Sequence, residues 1–465
     1  MTNSDDQTAT LMGNSSSPQE SSKSRTLVLC FDGTSNEYDA DNTNVVKLFA
    51  LLKKDEIDSQ MCLYQPGIGT YFEPGVVSPL LLWAAKYIDI AFATFLDAHV
   101  IEGYKYLMQH YRKGDKICIF GFSRGAYIAR AVAGFLYKVG LLPRDNQAQV
   151  HFAYKMYKRT DSKGLRLCAG FKQTYCQHVD IEFMGLWDTV ASVGVMMGRT
   201  LPFTNANRSI KTVRHALSLD EHRAKFRPNH YYKYRCVPQD SRVNTKDYLK
   251  QTGRHSSPET PRRTRDSSRK RTSVAKRVTS EDNTITKTKT GKAIAPELVE
   301  KNSSHDTDVL EVWFAGCHGD VGGGAVPNDT ETTLANISLR WMVHEIIASD
   351  CGIQFDQDAL KRIDIDIGPE ASVQEIDFDK EDALRCKHSA FKKRPLWWLL
   401  EILPLHYSYQ APDGEWHREL SINLGKGRKI REEQPIFHAS VKTRMLHEKY
   451  TPKARWKEGS EVYVQ

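Results

Sequence analysis

The feature that most constrains this chain is a short apolar run, 116–120, that passes without a spacer into Gly121-Phe122-Ser123-Arg124-Gly125 and then into helix-forming residues from 126 onward. A strand that turns directly into a helix needs small residues at the corner, because the incoming and outgoing backbones nearly touch there. Such a corner is half of a strand–helix–strand unit and predicts parallel strands covered by helices. The rest of the chain repeats the alternation. Runs of strand length lie at 26–31, 61–64, 180–187 and 309–314, and helical spacing marks 42–54, a long segment reaching His110, and 124–139 before Gly140. The predicted fold class is therefore α/β, a mostly parallel sheet with helices on both faces.

Charge separates this body from two polar segments. The formal net charge is +8, yet 241–300 alone hold 15 Lys/Arg against 7 Asp/Glu, so the remaining chain is close to neutral. A neutral body lacks the clustered cations of a nucleic-acid groove, and no nucleic-acid partner is expected. Residues 240–305 are rich in Ser, Thr and Lys and poor in aromatics, which predicts a long disordered insertion in a surface loop. A nuclear-import or kinase-target segment is the other reading of that stretch. Residues 1–24 read as a disordered polar tail without the apolar core of a signal peptide, 25–450 as one interrupted domain, and 451–465 as a C-terminal tail. The nine cysteines form no Cys-x-x-Cys pair and several lie in apolar runs, the pattern of reduced thiols in a cytoplasmic protein. The apolar stretch 76–96 carries Lys86 and Asp89 near its centre. Each would cost about 2.5–3.5 kcal/mol at mid-bilayer, so a spanning helix is not expected there.

In a parallel sheet, reactive side chains collect just past the carboxyl ends of the strands. Four polar clusters have that position here: Asp32-Gly33-Thr34, Ser123, Asp188 and His318. Gly-x-Ser-x-Gly between strand and helix is the nucleophile corner of α/β-hydrolases, and Ser…Asp…His is the chain order those enzymes use. The reading assigns Ser123 as nucleophile, His318 as base and Asp188 as the carboxylate that orients it, with His438 as the rival base. The N–H groups of Arg124 and of Gly33 or Thr34 are the candidate oxyanion donors. Asp32-Gly33-Thr34 also resembles the haloacid-dehalogenase Asp-x-Asp-Gly-Thr, but Cys30 stands where that chemistry needs its first aspartate. Asp32 and Asp320 are a conceivable cation pair that no spacing demands, so no metal and no cofactor are assigned.

Five motifs in order carry a resemblance. They are Phe31-Asp32-Gly33-Thr34, Gly67-Ile68-Gly69-Thr70, Gly121 through Tyr127, Trp187 through Ser192, and His318-Gly319-Asp320-Val321-Gly322-Gly323-Gly324. Over roughly 25–235 and 305–445 the chain resembles the catalytic domain of type VI secretion phospholipase effectors, an α/β-hydrolase family that also has uncharacterised fungal members. The resemblance implies a Ser-Asp-His triad at Ser123, Asp188 and His318, and ester substrates that in the bacterial members are glycerophospholipids. The chain departs from the effectors in lacking their additional membrane-associating module and in carrying the basic insertion.

The expected function is thus a serine hydrolase of carboxylic esters, phospholipase-like, with a catalytically silent scaffold as the alternative. One further segment bears on a lipid substrate. Residues 391–403 set three cations beside a bulky apolar run containing Trp397 and Trp398, too short to span a bilayer. Either it is a core helix, or it is a membrane-surface contact with 76–96 as a second flap beside the site.

Overall fold

The computed structural model describes residues 24–33, 36, 38–67, 81–190, 201–231, 306–365, 372–393, 397–410 and 416–465. The strands are β1 (Thr26–Phe31), β2 (Gln60–Gln65), β3 (Lys116–Phe122), β4 (Ile181–Trp187), β5 (Ile210–Ser218), β6 (Asp308–Phe314), β7 (Leu405–Gln410), β8 (Trp416–Ser421), β9 (Ile436–His438) and β10 (Val462–Val464). Eight of them form one sheet in the order β10-β9-β6-β5-β4-β3-β1-β2, and every neighbouring pair is parallel. β7 and β8 form a separate antiparallel hairpin. All eight sheet strands therefore present their carboxyl ends to the same edge, where the corners after β1, β3, β4 and β6 gather.

The helices are α1 (Asn44–Leu51), α2 (Leu81–His110), α3 (Arg124–Val139), α4 (Gln147–Lys158), α5 (Ser162–Tyr175), α6 (His318–Gly322), α7 (Leu334–Ala348), α8 (Gln357–Lys361), α9 (Val373–Ala383), α10 (Ala390–Lys393), α11 (Trp398–Glu401) and α12 (Ala439–His447). Side chains alternate across a strand, and β1 shows the consequence. Leu27, Leu29 and Phe31 point into a core built with Val100 and Tyr104 of α2, Val132 and Phe135 of α3, Tyr154 of α4 and Phe171 of α5. Val28 and Cys30 point the other way, onto Val45 and Leu48 of α1, Met342 and Ile346 of α7 and Ala383 of α9. Buried on both faces, β1 and β3 have to be apolar throughout, which is why they read as continuous runs.

Two differences from the sequence reading have physical causes. β5 is a central strand, yet Lys211, Arg214 and His215 interrupt its apolar pattern. Those groups are satisfied by tertiary partners, Lys211 by Glu182, Arg214 by Glu345 and Asp308, and His215 by Glu311. The expected tail, 451–465, instead supplies β10 at the sheet edge, and Ala454 joins Leu217, Trp313 and Phe437 in a third core cluster. Of the run 391–403, the described residues include the end of α10 up to Lys393 and all of α11.

The eight described cysteines are free thiols. Among the described residues no helix is long and apolar enough to cross a membrane. The polar N-terminal segment up to residue 23, Thr34, 68–80 and 232–305, which contains the basic insertion, lie outside the described residues. The chain on either side of that insertion meets at one point, because the Tyr231 hydroxyl and the Thr307 hydroxyl both donate to the Asn207 carbonyl, at 3.1 and 3.2 Å.

Candidate active site

Ser123 sits at the corner between β3 and α3 with φ 57° and ψ −120°, a left-handed backbone that a serine adopts only under constraint. The flanking glycines supply the room. A Cβ on Gly121 would lie 2.6 Å from the Gly125 carbonyl group, and one on Gly125 would lie 2.2 Å from the Phe31 carbonyl oxygen and 2.4 Å from that of Asp32. β1, β3 and α3 are thus in backbone contact at this corner, and only glycine permits it.

Asp188 follows β4 at φ 40°, and His318 opens α6 just after β6. His318 Nδ1 lies 2.5 Å from Asp188 Oδ2, and its Nε2 lies 2.8 Å from Ser123 Oγ. An ionised carboxylate only accepts, so Nδ1 carries the proton and Nε2 presents a lone pair that accepts from the serine hydroxyl. Burial holds the His318 imidazole below its ordinary pKa, against the opposing pull of Asp188, so the neutral form prevails near pH 7. Its ring is fixed between Phe122 at 4.6 Å and Phe226 at 4.8 Å.

Asp188 is fully buried, which by itself would raise its pKa, but Arg428 and His318 outweigh burial and hold the carboxyl well below its usual range. Arg428 makes a two-pronged contact, Nη1 to Oδ1 at 2.5 Å and Nη2 to Oδ2 at 2.9 Å. The Ser218 N–H adds a third donor to Oδ1 at 3.0 Å. Beside His318, the buried Glu221 is pulled down to about 2, burial notwithstanding, by the Arg223 guanidinium that grips it. Asp220 accepts from the Gly316 N–H, the Tyr450 hydroxyl and Lys387, and so pins the turn that delivers His318.

The remaining sequence candidates fall as follows. His438 is not brought to Ser123. Its Nδ1 is paired with Ser440 Oγ at 2.8 Å as the N-cap of α12, its ring stacks on Phe314, and burial lowers its pKa to about 3. Asp32 and Asp320 are each engaged by groups of the protein. Asp32 accepts from Thr43, Tyr64 and the Gly33 N–H, while Asp320 caps α6 through the Cys317 N–H and binds His388. The Gly33 donor is therefore engaged in this arrangement, at 2.6 Å from Asp32 Oδ1, which removes it as a ready oxyanion donor. Arg124 opens α3, in the turn whose N–H groups have no acceptor within the helix.

Among the described residues, metal-ligating atoms converge at His230, Glu311 and Glu432, all within 4.8 Å of one another. There His230 Nδ1 stands 2.9 Å from Glu311 and 3.0 Å from Glu432, and the two carboxylates overcome burial to raise the imidazole pKa to about 9.

Sequence reasoning did not find Arg428, Ser218, Glu221 or Phe226. Recognising β5 would have exposed Ser218 through Phe226 by the strand-end rule that found Asp188. Arg428 has no such signal, since it lies 240 residues from Asp188 in an irregular Gly-Lys-Gly-Arg-Lys loop.

A family model described as T6SS, phospholipase effector Tle1-like, catalytic domain matches residues 25–345. An uncharacterized protein of Saccharomyces cerevisiae, YEL023C, is 28% identical across an alignment covering 93% of this chain and 80% of that protein. Two solved structures are similar. An uncharacterized protein from Pseudomonas aeruginosa is 18% identical, with a TM-score of 0.36 over 82% of this chain and 53% of that one, so this chain spans about half its length. The Tle1 effector, solved bound to the VgrG spike of the type 6 secretion system, is 15% identical with a TM-score of 0.35, over 86% of this chain and 91% of that one.

Proposed function

We propose, from the premise that this chain belongs to the family of Tle1-like phospholipase effector catalytic domains, that it is a serine hydrolase cleaving carboxylic esters of glycerophospholipids. The observation that carries this reading is the unbroken hydrogen-bonded chain Ser123 Oγ, His318 Nε2, His318 Nδ1, Asp188 Oδ2, hung on a serine held at positive φ. A buried neutral imidazole 2.8 Å from a hydroxyl is placed to take its proton as the oxygen attacks an acyl carbon. The imidazolium so formed is stabilised by Asp188, then protonates the departing alcohol as the ester C–O bond breaks. A water molecule, deprotonated by the same Nε2, releases the acyl group from Ser123.

The negative charge on the tetrahedral oxygen falls beside the amino end of α3, where the Arg124 N–H and the helix dipole favour an anion. Gly33 joins only if its N–H leaves Asp32, and Thr34 is the other candidate donor. The chemistry requires no cofactor. The lipid part of the reading draws on the family's name; the ester part stands on the geometry.

The test is labelling of the purified protein with a fluorophosphonate probe, together with turnover of a short soluble ester. Ser123→Ala should lose labelling and lower kcat by about 10⁶, and His318→Ala should fall nearly as far, with the double variant hardly lower because the residues act as a unit. His438→Ala should keep turnover while losing about 1 kcal/mol of stability, the usual cost of an N-cap. A wild-type protein that never labels, or a Ser123→Ala protein that turns over normally, would overturn the hydrolase reading in favour of a silent scaffold.

A further inference from the structure

One surface beside this site is built opposite to the ordinary rule of apolar residues inside. Leu420, Ile422 and Leu424 alternate along β8 and the loop after it, and all three are exposed, at 60%, 48% and 54%. The residues between them face inward and are polar. Ser421 accepts from Arg227 at 2.8 Å, and Asn423 donates to the His222 carbonyl at 2.8 Å. Next to this strip, Trp398, Leu399, Ile402 and Leu403 of α11 and its following turn are between 37% and 56% exposed.

The two pieces are tied into one surface by Glu401, which is fully buried. Its carboxylate accepts from Asn423 at 2.6 Å, from the Gly425 N–H at 3.0 Å and from the Ala224 N–H at 2.7 Å, while its carbonyl accepts from the Leu424 N–H. A buried carboxylate with that many donors fixes the strip and the helix relative to one another. Monomeric proteins rarely leave so many large apolar side chains together in water without a use.

Two observations identify the occupant. The surface runs straight to the candidate site, because Trp397 packs edge-on against Phe226 at 5.6 Å and Phe226 packs edge-on against the His318 ring. Its rim is also cationic. Lys426 and Lys429 are exposed in the loop that carries Leu424. The nearby carboxylates have basic or N–H partners: Glu401 as above, Glu221 on Arg223, and Glu419 facing Arg431 at 3.6 Å. Apolar side chains flanked by exposed lysines match a bilayer bearing anionic head groups. We propose that α11 and the 420–424 strip form the face by which this chain sits on an anionic phospholipid surface, with the Trp397–Phe226 contact leading from lipid to Ser123. The lipid-delivery role rests on the hydrolase reading above; the binding itself does not.

The experiment uses the full chain as Ser123→Ala, so that vesicles stay intact, and measures co-sedimentation with vesicles of phosphatidylcholine alone or mixed with phosphatidylserine. The Ser123→Ala chain is expected to bind the mixed vesicles more tightly. Adding Leu399→Asp, Ile402→Asp and Leu424→Asp should weaken that binding about tenfold or more, since apolar area inserted in the interface sets the affinity. Lys426→Glu with Lys429→Glu should remove the preference for phosphatidylserine. The proposal is overturned if the Ser123→Ala chain binds neither vesicle, or if the three aspartates leave binding unchanged. It is also overturned if those substitutions abolish self-association of a chain that ignores vesicles. Should the triple variant fail to fold, the lysine pair carries the test, and an undiminished preference for phosphatidylserine overturns the proposal. In the Ser123-intact chain, turnover of a short soluble ester should survive the same substitutions. Absence of turnover in every variant would count against the hydrolase chemistry and leave the binding result standing.

Discussion

At the scale of single residues, the site depends on charges that compensate one another inside the protein. The Asp188 side chain is fully buried, so its negative charge is sustained by His318 and Arg428. The pH dependence follows with a definite sign. His318 must be neutral to accept a proton, and burial depresses its pKa below the ordinary value of about 6.5. Ester hydrolysis should therefore be retained above that value and lost only as pH falls through a lower one, read from the acid limb of kcat/KM. Arg428→Ala should change this limb as well as stability. Breaking a buried pair costs about 3–5 kcal/mol. The Asp188 charge, no longer shared, would then stabilise the His318 imidazolium more strongly and move the acid limb to higher pH. Arg428→Lys should restore part of the stability, but not the two-pronged contact. An Arg428→Ala enzyme with an unmoved limb would mean that Arg428 supports the fold without tuning the base.

At the scale of elements, the corner between β3 and α3 is where sequence and structure agree most closely. Gly121 and Gly125 lie where β1, β3 and α3 touch through their backbones, so the turn leaves no room for a methyl group. Gly125→Ala should be costly, because the atoms its Cβ would meet, the Phe31 and Asp32 carbonyl oxygens, belong to a central strand and its end and cannot rotate away. Overpacking of this kind costs about 1–3 kcal/mol, read as a lower urea midpoint at unchanged slope. Ester turnover should fall further than that loss alone explains, because Ser123 would be displaced. Gly114→Ala is the control for handling effects, since its Cβ would meet nothing within 4 Å, although its φ of 100° makes the substitution mildly strained. Equal turnover in the two variants would show that the corner tolerates displacement.

At the scale of the whole molecule, the body is one continuous sheet into which a long basic segment has been inserted. Tyr231 and Thr307 meet on the Asn207 carbonyl, and Tyr231 is further fixed by its N–H to Glu311 at 2.9 Å. The described residues on either side of the insertion are thus held together by groups that belong to the body. Closing a loop costs only a logarithmic amount in its length. Deleting 245–300 and joining the ends with a short Gly/Ser linker should leave melting temperature and ester turnover near those of the full chain, while removing seven net positive charges. A deletion that unfolds the protein or silences it would show that the segment belongs to the domain.

Much of this was legible from the chain itself. β1, β3 and the corner at Ser123 could be read because a parallel strand covered on both faces has to be apolar along its length, and a strand-to-helix corner has to be bounded by glycine. Ser123, Asp188 and His318 were each legible as the first polar residue after such a run. Burial patterns and backbone sterics act between near neighbours, so they leave a local trace. What only the tertiary structure decided was which distant groups meet. His318 rather than His438 reaches Ser123 because β6 lies two strands from β4 in the sheet while His438 turns to cap α12. Arg428 reaches Asp188 from an irregular loop, and β5 stays central despite its charges because Glu182, Glu311 and Glu345 answer them from other elements. Electrostatic pairing is satisfied by whatever the fold brings within a few ångströms, and it imposes no spacing on the sequence.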